Sequence, residues 1–137
     1  HLPQAELIVV TPPQLMAQKV ATRVADMAKR SFIPLLGVIE NMSYFESNSG
    51  EKYNLFGEGG GEALSEKFGL PLLAKIPISE DTNNKADEGI PLINQKNNSS
   101  TKLVIEKLVK DIAIKLPPVV DESCTGRLAK VFEELSN

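Results

Sequence analysis

The residues best suited to chemistry lie close together between Gly37 and Gly61, in GVIENMSYFESNSGEKYNLFGEGGG. Asn41 ends an apolar run, and its carboxamide offers one donor group and one acceptor, as reading an adenine edge requires. The end of a strand is also where open α/β sheets place their ligands. Taken on chemistry alone, an Asn there is more often a turn former that bonds its own backbone. The glycines have two readings as well. They allow a tight turn and close backbone packing, or they present N–H groups to an anion, and the first is favoured. A phosphate loop of the P-loop type would need a Gly-Lys-Ser/Thr ending, which GEGGGEALSEK lacks. The spacing of Gly57, Gly59, Gly60 and Gly61 does not match GxGxxG either.

Other reactive residues are few. Cys124 is the single cysteine and His1 the single histidine, so Cys124 reads as an ordinary free thiol. One cysteine cannot close an internal disulfide, which fits a reducing compartment. Asp81, Asp87 and Glu88 read as solvated helix charges rather than as metal ligands. Tyr44, Phe45, Tyr53 and Phe56 bracket the polar interval and suit cross-strand pairing in a hairpin.

These residues must be held by elements that the apolar pattern outlines. Glu6 to Thr11 and Ile33 to Glu40 are continuous apolar runs, as expected of strands buried on both faces, and Leu72 to Ile78 is a third. Pro12 and Pro13 close the first run, and Pro13 suits the first turn of a helix. The helix expected over Gln14 to Arg30 carries Leu15, Val20, Val24, Met27 and Ala28 as its apolar stripe. A second helix is expected over Glu58 to Phe68, ended by Gly69. A third starts at a Ser79 cap and runs to about Glu88. The last long helix is capped by Ser99 or Ser100, with Val104, Leu108, Ile112 and Leu116 on its stripe. Residues 43–58 read as a loop or small hairpin, and GRLAKVFEEL in the tail as a weak helix. This order predicts an α/β fold with a parallel sheet flanked by helices.

With 137 residues, 42% of them hydrophobic, the chain has the size and core of one domain. Its net charge of −3 and scattered Lys and Arg argue against a nucleic-acid surface. No apolar run reaches the roughly 18–20 residues that a membrane span requires, and no signal-peptide pattern is present. Three strands make an incomplete sheet of this kind, and HLPQAELIVV enters a strand almost at once without a methionine. The chain is therefore expected to be a piece of something longer.

GVIENMSYF, then LFGEGGGEALSEKFGLPLLAKIPI, then a Gly-Ile-Pro segment resemble the C-terminal half of the Mrp-type nucleotide-binding proteins. Those are ATP-binding iron–sulfur cluster carriers of the ParA/MinD-like P-loop ATPase class. The resemblance covers about Ala5 to Pro91. It implies that residues 1–118 are the C-terminal part of a nucleotide-binding domain, followed by a tail over 119–137. Asn41 matches the strand-end Asn that contacts adenine, and Pro77 and Ile78 match the segment lining the other side of the base. Thr11, Pro12 and Gln14 match a stretch whose role is structural or at a dimer contact. The implied ligand is ATP with Mg²⁺ in the complete protein, which would work as a cytoplasmic homodimer and serve iron–sulfur client proteins.

Two departures bear on that reading. The P-loop and switch aspartates of the class are not among these residues, and phosphoryl transfer is mostly positioning and charge stabilisation. The chain alone is therefore expected not to hydrolyse ATP. Many members also carry a Cys-x-x-Cys between the two motifs, where this chain reads ESNSGEKYN. Cluster iron is held mainly by thiolates, so cluster binding in that manner is not expected. The alternative is a stand-alone structural or interaction domain without nucleotide function. A ligase of the same superfamily, related to dethiobiotin synthetase, fits the ENMSYF motif less well.

Overall fold

The computed structural model describes residues 5–47, 49–79, 89–94 and 99–116. His1, the helix expected after Ser79 with Asp81, Asp87 and Glu88, Cys124 and the 119–137 tail lie outside the described residues. The elements are β1 (Leu7–Thr11), α1 (Leu15–Arg30), β2 (Leu35–Glu46), β3 (Lys52–Tyr53), α2 (Gly60–Phe68), β4 (Leu72–Ile78) and α3 (Ser100–Lys115), with one 3-10 turn at Leu92–Asn94.

The expected α/β fold with a mostly parallel sheet is what forms. β2 is the central strand, parallel to β1 on one edge and to β4 on the other. Thr11 pairs with Glu40, and Asn41 pairs with Ile76. Such strands are linked by crossover helices, and α1 and α2 supply them. Both crossovers contribute to one core cluster of Val9, Ala21, Ala25, Val38 and Leu64. α3 packs on β4 through the buried Thr101 and Leu108. Its cap is Ser99, whose hydroxyl accepts the Lys102 N–H at 3.3 Å.

Three expectations need correction. Of the expected apolar stripe of α1, only Ala28 is buried. Ala21, Ala25 and Ala28 are buried, whereas Leu15, Val20 and Met27 are exposed and Val24 is 36% exposed. Small side chains let the helix lie close to the strands, which leaves the larger ones on its flanks. Pro13 lies before the helix rather than in its first turn, and Gln14 is the cap residue. The second strand does not break at Asn41 but runs on to Glu46. It does so through an irregularity, since four steps from Asn41 to Phe45 face only two on β4, from Ile76 to Ile78. Met42 takes a left-handed φ of 56° within it, a conformation that non-glycine residues seldom adopt.

The excursion after Asn41 is a hairpin, as its aromatics suggested. Phe45 pairs with Tyr53 and Glu46 with Lys52. The Lys52 ammonium lies 4.6 Å from the centre of the Tyr44 ring, a distance for cation–π attraction. α2 starts at Gly60, two residues later than expected. Its cap, Gly59, has φ 78°, a backbone setting that suits glycine.

Candidate functional site

The end of the regular pairing between β2 and β4 brings together the three residues singled out in the sequence. Asn41 stands opposite Ile76 in the ladder, so Pro77 and Ile78 are the next residues along the neighbouring strand. Asn41 is half-buried, Pro77 buried and Ile78 half-buried. The Asn41 Oδ1 accepts the Met42 N–H at 3.0 Å, the self-bonding expected of a turn Asn. An amide oxygen has two lone pairs, so this bond leaves capacity for a second donor. Nδ2 donates to none of the described residues and remains available. The carbonyl of Pro77 accepts from the Thr101 hydroxyl at 3.5 Å, which ties the end of β4 to α3.

Beside this edge lies a residue that the motif reading passed over. Glu40 is 1% exposed. A carboxylate can be buried only when its oxygens are satisfied, and here both are. Oε1 accepts the Ser43 hydroxyl at 2.5 Å, and Oε2 accepts the Gly61 N–H at 2.6 Å. The Gly61 N–H lies in the first turn of α2, where the helix dipole favours a negative charge. Lys75 faces Glu40 across the ladder and bonds Glu62 at 2.9 Å. That bond to Glu62 holds the Lys75 ammonium above its usual range. Burial opposes the shift, while the charges of Glu62, Glu40 and Glu58 add to it.

The three glycines follow from this arrangement. A Cβ on Gly61 would lie 2.7 Å from the Glu40 Cβ, and one on Gly60 would lie 2.4 Å from the Pro13 carbonyl oxygen. They serve close approach and a turn, as the favoured reading held. The anion that meets the helix N-terminus is the chain's own carboxylate. One signal in the sequence pointed to Glu40: an acid closing the apolar run LLGVIE, with a hydroxyl three residues on.

Thr11 is buried and builds the β1–α1 turn. Its hydroxyl donates to the Pro12 carbonyl at 3.1 Å, and the Gln18 Nε2 donates to that same carbonyl at 3.0 Å. The Gln14 side chain makes no capping bond. An open groove of about 490 Å³ between α1 and α2, lined by Leu15, Lys19, Arg23, Ala63 and Lys67 among others, contains none of the three strand-end residues. Among the described residues, no group of three acids, His or Cys is placed to hold a metal, and no helix is long and apolar enough to cross a membrane.

Parallel strands joined by crossover helices are the open α/β arrangement, which places ligands beyond the carboxyl ends of its strands. The family model for the ParA-type NUBPL iron-transfer P-loop NTPases matches residues 1–113, and the chain belongs to that family. An iron-sulfur cluster carrier protein of Pyrococcus furiosus is 39% identical over 109 residues, covering 77% of this chain and 37% of that protein. One from Bacillus subtilis is 37% identical over 116 residues, covering 84% of this chain and 31% of the relative. The chain thus spans about a third of the length of such relatives. Among solved structures, a nucleotide-binding protein of Archaeoglobus fulgidus in complex with ADP, with cobalt, superimposes with a TM-score of 0.52. It is 34% identical, over 60% of this chain and 34% of that one. The cell division ATPase MinD of P. furiosus gives 0.62 at 25% identity, over 81% of this chain and 43% of its own.

Proposed function

We propose that this chain forms the base end of an ATP site in an Mrp-like protein that handles iron–sulfur clusters. The observation that carries the reading is the placement of Asn41 beside Pro77 and Ile78 where the regular pairing of β2 with β4 ends. In this reading the Asn41 Nδ2 and Oδ1 bond the adenine edge, and Pro77 and Ile78 line its other side. The identity with an ADP-bound relative supports it. The Gly-Lys-Ser/Thr ending of a phosphate loop is not present in the Gly-rich stretch, so in this reading the chain by itself orients the base of a nucleotide and does not hydrolyse it. The complete protein works as a cytoplasmic homodimer, in which residues 1–118 belong to the nucleotide domain and 119–137 form an appended tail.

The cluster, where one is handled, is cargo. The hairpin from Asn41 to Gly57 contains no cysteine, so its residues do not fit a thiolate-held cluster. Client proteins are then met by other surfaces or through a derived task. The test is Asn41→Ala in the full-length protein, with ATP and GTP binding measured by calorimetry. A preference for ATP that disappears in the variant, with the fold intact by circular dichroism, supports the reading. A protein that binds neither nucleotide before or after the change would instead be a structural or interaction domain.

A further inference from the structure

We propose that Glu40 is a positioning residue for base recognition, clamping the strand end so that Asn41 presents its carboxamide in one orientation. The inference rests on the nucleotide reading above and extends it to a residue that would not touch the nucleotide. The chain leaves β2's regular register right after Asn41, through the left-handed Met42. Two of the bonds around this detour end on the same buried carboxylate. The Ser43 hydroxyl reaches back over it to Oε1, and the first turn of α2 donates the Gly61 N–H to Oε2.

Without Oε1, Ser43 loses the side-chain bond that ties the far side of the detour back to Glu40. Met42 is then free to leave its rare conformation, and its N–H leaves the Asn41 Oδ1. Without Oε2, the N-terminus of α2 loses its only bond to β2's carboxylate, beside the same strand end. Glu40 thereby joins the two motifs, ENMSYF and FGEGGG, through one side chain. It makes a conserved-volume amide an informative substitute: in Glu40→Gln the amide oxygen still accepts from Gly61, and the NH₂ group donates to a rotated Ser43 hydroxyl.

The experiment measures binding of ATP, GTP and inorganic tripolyphosphate to the full-length protein and to four variants: Asn41→Ala, Ser43→Ala, Glu40→Ala and Glu40→Gln. An Asn read-out of adenine is strong enough for its loss to reduce the ATP-to-GTP affinity ratio roughly tenfold. Ser43→Ala and Glu40→Ala are expected to lower that ratio as Asn41→Ala does, with tripolyphosphate binding unchanged. Glu40→Gln should stay within about threefold of the unmodified protein. Should Glu40→Ala not fold, Ser43→Ala carries the same comparison. If Asn41→Ala abolishes the preference while Ser43→Ala and Glu40→Gln both keep it and Glu40→Ala lowers all three ligands equally, the positioning role is overturned and the nucleotide reading stands. An unmodified protein with no preference for ATP would overturn both.

Discussion

Adding a single methyl group at Gly60 should destabilise the protein, although the position is helical and a Gly→Ala change there would ordinarily help. Alanine is preferred to glycine in helices by about 1 kcal/mol, and less in a first turn. Against this, the new Cβ would sit 2.4 Å from the Pro13 carbonyl oxygen, 2.8 Å from the Pro13 carbonyl carbon and 2.4 Å from the Gln18 Nε2. Two of those atoms are backbone, so no rotamer change relieves the overlap, and α2 must move off the β1–α1 turn. Overpacking of this kind costs roughly 1–3 kcal/mol. Displacing Gln18 also removes its bond to the Pro12 carbonyl, worth about 1 kcal/mol. The expected net loss is about 2–3 kcal/mol in Gly60→Ala, read as a lower urea midpoint by far-UV circular dichroism with an unchanged slope. Gly69→Ala is the control: a Cβ there meets nothing within 4 Å, but φ is +66°, so it should lose about 1 kcal/mol. A Gly60→Ala protein as stable as the parent would refute the close-approach argument.

Other predictions concern charge and packing. Glu62→Gln should cost less than about 1 kcal/mol, because its pair with Lys75 is 37% and 53% exposed, and the difference should shrink in high salt. Since the folded lysine value lies above the ordinary 10.5, whatever this pair contributes is fully present below pH 10.5. It is lost as the pH rises through the higher folded value, so parent and variant should converge in alkaline denaturation curves. Tyr53 donates its phenol to Glu51 at 2.7 Å, which raises its titration above the usual range. Glu51→Gln should bring its ultraviolet titration back down, with Tyr44→Phe used to isolate the signal. Leu64→Ala, at a site 3% exposed within the central cluster, should lose about 2–4 kcal/mol in the same urea assay.

Much of this could be read in advance from the chain. The three long strands were marked by their continuous apolar runs, because a strand covered on both faces has no polar alternation to disguise it. Gly69 ended its helix as expected, since a left-handed cap selects glycine. What misled was the assumption that large residues mark the buried face. On α1 the alanines touch the sheet, and a contact set by close approach carries little hydrophobic signal. The continuation of β2 past Asn41 was also out of view, because it is paired with Tyr53 and Lys52 of β3 and with Ile78 of β4, partners that no local pattern announces. Asn41 was singled out by its chemistry at the end of an apolar run, Pro77 and Ile78 through the motif resemblance, and the ladder sets Asn41 opposite Ile76, next to them. Glu40 was missed because an acid at the end of a strand ordinarily reads as solvent-facing.

The bond between Glu40 and Gly61 also closes a ring of chain. The hairpin begins just after one partner and leads into α2 at the other, so its tip, turned by the Ser47–Glu51 and Gly50–Ser47 backbone bonds at 2.9 Å, hangs from a fixed base. For a loop whose ends are held, doubling the length costs only about 0.6 kcal/mol in closure entropy. The tip is therefore a port where residues can be gained, lost or exchanged at little thermodynamic consequence to the strands beneath. The interval ESNSGEKYN can thus vary in sequence on an unchanged scaffold. A short metal-binding or peptide sequence grafted between Ser47 and Glu51 should leave the base unaltered.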